Sequence, residues 1–98
     1  MLVGVLRLSL SISGAHSLKE KRGVIQRVKE RVRNKLAVSV AEVGAQDLWQ
    51  RAQLGFAVVA SARAVADTTL TRIIETVEAM GLCEVCGIER EVVDFGQS

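Results

Sequence analysis

Proline and tyrosine are absent from this sequence, and histidine and tryptophan occur once each. Without proline, no X-Pro pair marks the end of a helix, so the elements must be read from hydrophobic periodicity. One histidine, no tyrosine and no pair of carboxylates at a recognisable spacing leave little for acid–base or nucleophilic catalysis. His16 lies near Ser13 and Ser17, but a triad also needs an acid and an oxyanion hole. The two cysteines form one C-x-x-C, Cys83-Glu84-Val85-Cys86. A zinc site needs four converging ligands, and His16 is the only further ligand of the Cys/His type. Residues three apart on a strand point to opposite faces, so the pair reads as two small half-buried side chains. No apolar run approaches the ~20 residues that span a bilayer. The segment Met1–Arg7 has no basic region ahead of an apolar stretch, so no signal peptide and a cytoplasmic location are expected.

What is present is an ordinary globular composition. The 98 residues are 49% apolar and 24% charged, which predicts a single domain over residues 1–98 with one core. From Leu2 to Ile12 the pattern alternates: Leu2, Leu6, Leu8, Leu10 and Ile12 share one phase with Gly4, and Val3, Val5, Arg7, Ser9 and Ser11 take the other. That is a strand with one face in a core. After the loop Ser13–Ser17, Ser17-Leu18-Lys19-Glu20 fits a capping box. Leu18, Ile25, Val28, Val32 and Leu36 then recur at helical spacing, which predicts a helix ending near Asn34 or Lys35. Ala37–Val43 reads as a second strand, Leu54–Ser61 as a third, and Cys83–Val93 as a fourth. Between the last two, Ala66, Leu70, Ile73, Ile74 and Val77 form the stripe of a second helix, with Gly81 at its C-terminal cap. The order βαββαβ predicts an α+β, ferredoxin-like two-layer sandwich: a four-stranded antiparallel sheet with both helices on one face.

The net charge is only +2, but it is unevenly spread. From Lys19 to Lys35 eight cations (Lys19, Lys21, Arg22, Arg27, Lys29, Arg31, Arg33, Lys35) face two acids, for a local +6. From Ala64 to Ser98 two cations face seven acids, for a local −5. The basic helix is either a footprint for phosphate backbones or a solvated face paired with the acids of the second helix. Lys21 falls in line with Ile25 and Val32, and Arg22 and Lys29 flank the stripe. Such side chains can lay their stems on the core edge and project charge around the helix N-terminus, where free N–H groups favour an anion. The P-loop pattern is absent, and no cofactor is expected.

The connection between the second and third strands holds Gln46, Asp47, Trp49, Gln50 and Arg51. Its tryptophan serves either as a stacking platform or interface anchor, or as a cover for the end of the core. The third strand, Leu54-Gly55-Phe56-Ala57-Val58-Val59, faintly echoes an RNA-binding RNP1 strand but lacks its leading base and two of its aromatics, so Phe56 reads as core. Gly55, Ala57 and Val59 with Val3 and Val5 would make an apolar sheet face suited to pairing with a second copy.

Two stretches are familiar together. Ser17-Leu18-Lys19-Glu20-Lys21-Arg22 and Val38–Arg51, with its Gln46-Asp47-Leu48-Trp49-Gln50-Arg51 end, are followed by Leu54-Gly55 and Ala57-Val58-Val59. In these the chain resembles the bacterial YlxP-like family, a family of unknown function with a ferredoxin-like fold. The resemblance implies gene neighbours among translation and ribosome-maturation factors, and it marks Lys19, Lys21, Arg22, Gln46, Asp47, Trp49, Gln50 and Arg51. Cys83 and Cys86 lie outside its pattern. Three functions follow as expectations. The first is a non-enzymatic module binding RNA or a ribosomal subunit through Lys19, Lys21, Arg22, Arg27, Lys29, Arg31 and Arg33. The second is a protein-interaction domain or homodimer using the sheet face. The third, an acylphosphatase-like enzyme, fits poorly: Gly14 is followed only by the distant Arg22, and the sole asparagine is Asn34.

Overall fold

A computed structural model describes residues 1–96 of the chain. The elements are β1 (Leu2–Ser11), α1 (Leu18–Lys35), β2 (Ser39–Gly44), β3 (Arg51–Ala60), α2 (Arg63–Met80) and β4 (Glu84–Asp94). One antiparallel sheet takes the order β2-β3-β1-β4, so β1 and β3 are central and β2 and β4 are edges. This is the ferredoxin-like arrangement expected from the sequence.

The even residues of β1 and β3 build the core. Leu6, Leu8 and Leu10 of β1 and Ala52, Leu54, Phe56 and Val58 of β3 are buried against Ile25, Val28 and Val32 of α1 and Leu70, Ile73 and Val77 of α2. Period two on the strands and near-3.6 spacing on the helices therefore meet in one layer. α2 packs on β1, β3 and β4, and α1 on β2 and α2. Gly4 leaves room beneath α2: a Cβ there would sit 2.9 Å from Val58 Cγ1 and 3.3 Å from Leu70 Cδ1. Phe56 is buried on the helix side, so it is core and not a stacking platform.

The strand boundaries differ from the sequence reading, most at the starts of β2 and β3. β2 begins at Ser39, two residues later than expected, because Leu36 and Val38 are spent closing α1, with Leu36 N–H donating to Val32 O. β3 begins at Arg51, three residues early, because Ala52 and Gln53 continue the ladder with Leu10 and Ser9 of β1. β4 runs Glu84–Asp94 and carries a bulge: Ser9 pairs Gly87 and Leu10 pairs Val85, leaving Cys86 as the extra residue. β2 has a matching irregularity at Val43, between Glu42 and Gly44.

Candidate nucleic-acid interface

At the N-terminus of α1, Ser17 is extended and its Oγ accepts the Glu20 N–H at 3.1 Å. Glu20 turns back so that its Oε2 accepts the His16 N–H at 3.2 Å. The helix end thus already carries its own carboxylate and its own acceptor. Both weaken the expectation of a phosphate seated there, and the basic character of α1 lies along its flanks instead.

Lys21 departs from the sequence reading most clearly. It is 2% exposed, and its ammonium points away from solvent. Nζ donates to Ala45 O at 2.6 Å and Gln46 O at 3.4 Å, and it lies 3.0 Å from Glu42 Oε2. The Glu42 oxygen receives no hydrogen bond of good angle, so that pair is a charge contact rather than a directed bond. Glu42 is in register with Leu54, on the helix side of β2, which puts it under α1. Lys21 is therefore corrected from a phosphate contact to the residue that fastens the β2–β3 loop to α1. The helical phase that aligned it with Ile25 already pointed inward.

The other cations behave differently. Lys19, Arg22, Arg27, Arg31, Arg33 and Lys35 are exposed, and Lys29 is half-buried. Among the described residues, none of these seven has a carboxylate within 4.0 Å; the ion pairs are Arg7–Glu89, Lys21–Glu42 and Arg90–Asp67. The acids of α2 do not neutralise α1. Arg22, Lys29 and Arg33 follow one edge of the helix and Arg27, Arg31 and Lys35 the other, over about 20 Å of axis. Arg27, Glu30, Arg31 and Asn34 border a groove of about 460 Å³ whose far side is Ala79 and Met80 of α2 and Leu82 just beyond it.

The β2–β3 loop stands at the same end of the sheet as the start of α1. Ala45 adopts a left-handed φ of 57°, its carbonyl also accepts the Leu48 N–H at 3.2 Å, and Gln50 Nε2 donates to Ala15 O at 3.0 Å. Ile12 N–H closes onto Gln50 O at 2.9 Å. The Lys19–Arg22 and Gln46–Arg51 segments, far apart in the chain, are thus brought together by Lys21 and Gln50. Trp49 is 53% exposed, so it does not cover the core. Asp47, Leu48, Trp49, Gln50 and Arg51 line a shallow hollow of about 510 Å³. Arg51 reaches across β1 towards β4, its Nη1 donating to Cys86 Sγ at 3.5 Å. The sequence reading missed Leu48, which is as exposed as Trp49, and Glu42. The signal for Glu42 was its shared phase with Val40.

Cys83 and Cys86 lie apart in character. Cys83 packs at the rim of the core and burial pushes its thiol up. Cys86 is exposed at the bulge, its Sγ donating to Ser9 O at 3.2 Å. Gly14 precedes α1, while Arg22 and Asn34 are about 18 Å apart along it, so the acylphosphatase-type trio does not converge. No helix among the described residues is long and apolar enough to cross a membrane.

Order, register and layering define a ferredoxin-like sandwich, and comparison with solved structures agrees. A de novo designed protein with a ferredoxin fold matches with a TM-score of 0.60 at 19% identity, over 100% of this chain and 91% of the other. SnoaB of Streptomyces nogalater, described as a cofactor-independent oxygenase, matches at TM-score 0.51 and 11% identity, over 99% and 95% of the two chains. At these identities the likeness is one of fold. The chain itself belongs to the family described as "Protein of unknown function (DUF503)", whose model matches residues 3–90. It is 40% identical over 78 residues to the uncharacterized protein YlxP of Bacillus subtilis (strain 168), covering 80% of this chain and 85% of that one.

Proposed function

We propose that this protein is a non-enzymatic binding module that holds an RNA backbone, alone or within a ribosomal subunit, along the flanks of α1. The observation that carries the reading is the set of seven α1 cations that no carboxylate of the described residues approaches within 4.0 Å. Cations left without a carboxylate partner release bound counterions when they meet phosphates, and that release drives association. The test is RNA binding by fluorescence anisotropy across a salt series. Replacing Arg22, Lys29 and Arg33 together by Ala is expected to weaken binding and flatten the slope of log K against log salt by about 2. An unchanged slope in that variant removes the reading. These side chains lie outside the core, so the fold is preserved.

A second reading rests on a different observation. The sheet face away from the helices carries Val59, Val3 and Val93 side by side in register and Val5 as the next β1 residue on that face, with Val59 67% exposed. A homodimer joined through this face would cover them.

A further inference from the structure

We propose that the hollow beside Trp49 takes an unpaired nucleobase, so that the RNA bound along α1 is single-stranded at the end where the β2–β3 loop stands. The inference rests on the reading of α1 as the backbone-binding element and adds what that element cannot supply, a preference for one kind of RNA.

Three features of the loop carry it. Trp49 and Leu48 are both 53% exposed, and a large indole held in water offers a π-face on which any base can stack. The loop that presents it is fixed. The Lys21 ammonium holds Ala45 O and Gln46 O, and Gln50 bonds to Ala15 O. A platform held in place loses little further freedom when a ligand stacks on it. The lining of the hollow then separates base from phosphate. Asp47 contributes a carboxylate, which repels a phosphate but accepts from the exocyclic amino or ring N–H groups of a base. Arg51 contributes donors for base carbonyl and ring nitrogen acceptors. The cations of α1 provide for the phosphates, and the Lys21 clamp keeps the first turn of α1 and the loop at one end of the sheet. A duplex keeps its base faces stacked on one another, so it can use α1 but not Trp49.

The sole tryptophan makes the test direct. Wild-type fluorescence is followed while an unstructured single-stranded RNA of about 10 nucleotides, or the same sequence as a duplex, is added. The single strand is expected to quench Trp49 and the duplex to leave it unchanged. In anisotropy with labelled RNA, Trp49→Ala is expected to weaken single-strand binding roughly tenfold or more while leaving duplex binding and the salt slope as they were. Trp49→Phe is expected to retain most of the affinity. Salt-dependent binding with unquenched fluorescence and unchanged Trp49→Ala affinity overturns the inference and leaves the reading of α1 standing. No binding of either RNA at low salt overturns both. A fluorescence blue shift with anionic phospholipid vesicles but not with RNA assigns the Leu48–Trp49 tip to a membrane surface and overturns the inference as well.

Discussion

An ammonium group taken out of water is costly unless its charge and its hydrogen bonds are both met, and Lys21 meets them from one strand and the loop that follows it. Glu42 supplies the charge and the Ala45 and Gln46 carbonyls the acceptors. Removing the side chain strands the Glu42 carboxylate and frees a loop that holds a left-handed residue, Ala45. Because Glu42 keeps 23% of its side chain in water, the loss is set below that of a fully buried pair. Lys21→Ala is expected to cost about 2 kcal/mol, read as a lower urea midpoint; an unshifted midpoint would show that the pair carries no stability. The two thiols offer a second test at this scale. Cys86 is exposed and Cys83 is half-buried with its thiol pushed up by burial. A thiol reagent at neutral pH is therefore expected to label Cys86 rapidly and Cys83 slowly. Equal rates would contradict the placement of Cys83.

At the scale of elements, the same substitution should act in opposite directions on α1 and β1. Gly23 lies inside α1 on its solvent side, and nothing stands within 4 Å of a Cβ built there. Gly23→Ala is expected to stabilise the protein by about 0.5–1 kcal/mol through helix propensity alone. Gly4 is in β1 beneath α2, where a Cβ would press on Val58 and Leu70. Gly4→Ala is expected to destabilise by about 1–3 kcal/mol, because the core must shift to admit it. Thermal unfolding of the two variants checks both signs. A stabilising Gly4→Ala would mean that α2 does not sit on β1 as described.

For the whole molecule, the helices divide the surface into two unlike faces. The helix face carries the unpaired cations of α1. The opposite face has an apolar end, with Val5, Val59 and Val93 exposed, and a polar end with the Arg7–Glu89 pair, in which Nη2 lies 2.6 Å from Oε1. A contiguous apolar end on an uncovered sheet marks an interaction surface. If two copies meet there, sedimentation should show a concentration-dependent dimer, and Val59→Lys should return it to monomer by placing a charge at the interface. A strict monomer at high concentration excludes the homodimer. The two faces are opposed, so a dimer through the sheet would leave both copies of α1 open to RNA.

The amino-acid order determined the layers of this protein. The two-residue phase of Leu6, Leu8 and Leu10 and the helical spacing of Ile25, Val28 and Val32 each specify a face to bury, and short connections leave few ways to join them. The basic character of α1 was equally legible, because like charges crowded into one helix are visible as composition. Helical phase already turned Lys21 inward, but tertiary structure decided that its charge would be met there. Lys21 and Arg22 are neighbours in sequence, yet one is locked beneath the β2–β3 loop and the other is exposed. Periodicity gives the direction of a side chain but not the group waiting there, and Glu42 and the Ala45 carbonyl arrive from a segment more than twenty residues away. The exposure of Trp49 was undecided for the same reason: a loop residue has no period, so its surroundings are fixed only by what the rest of the chain brings beside it.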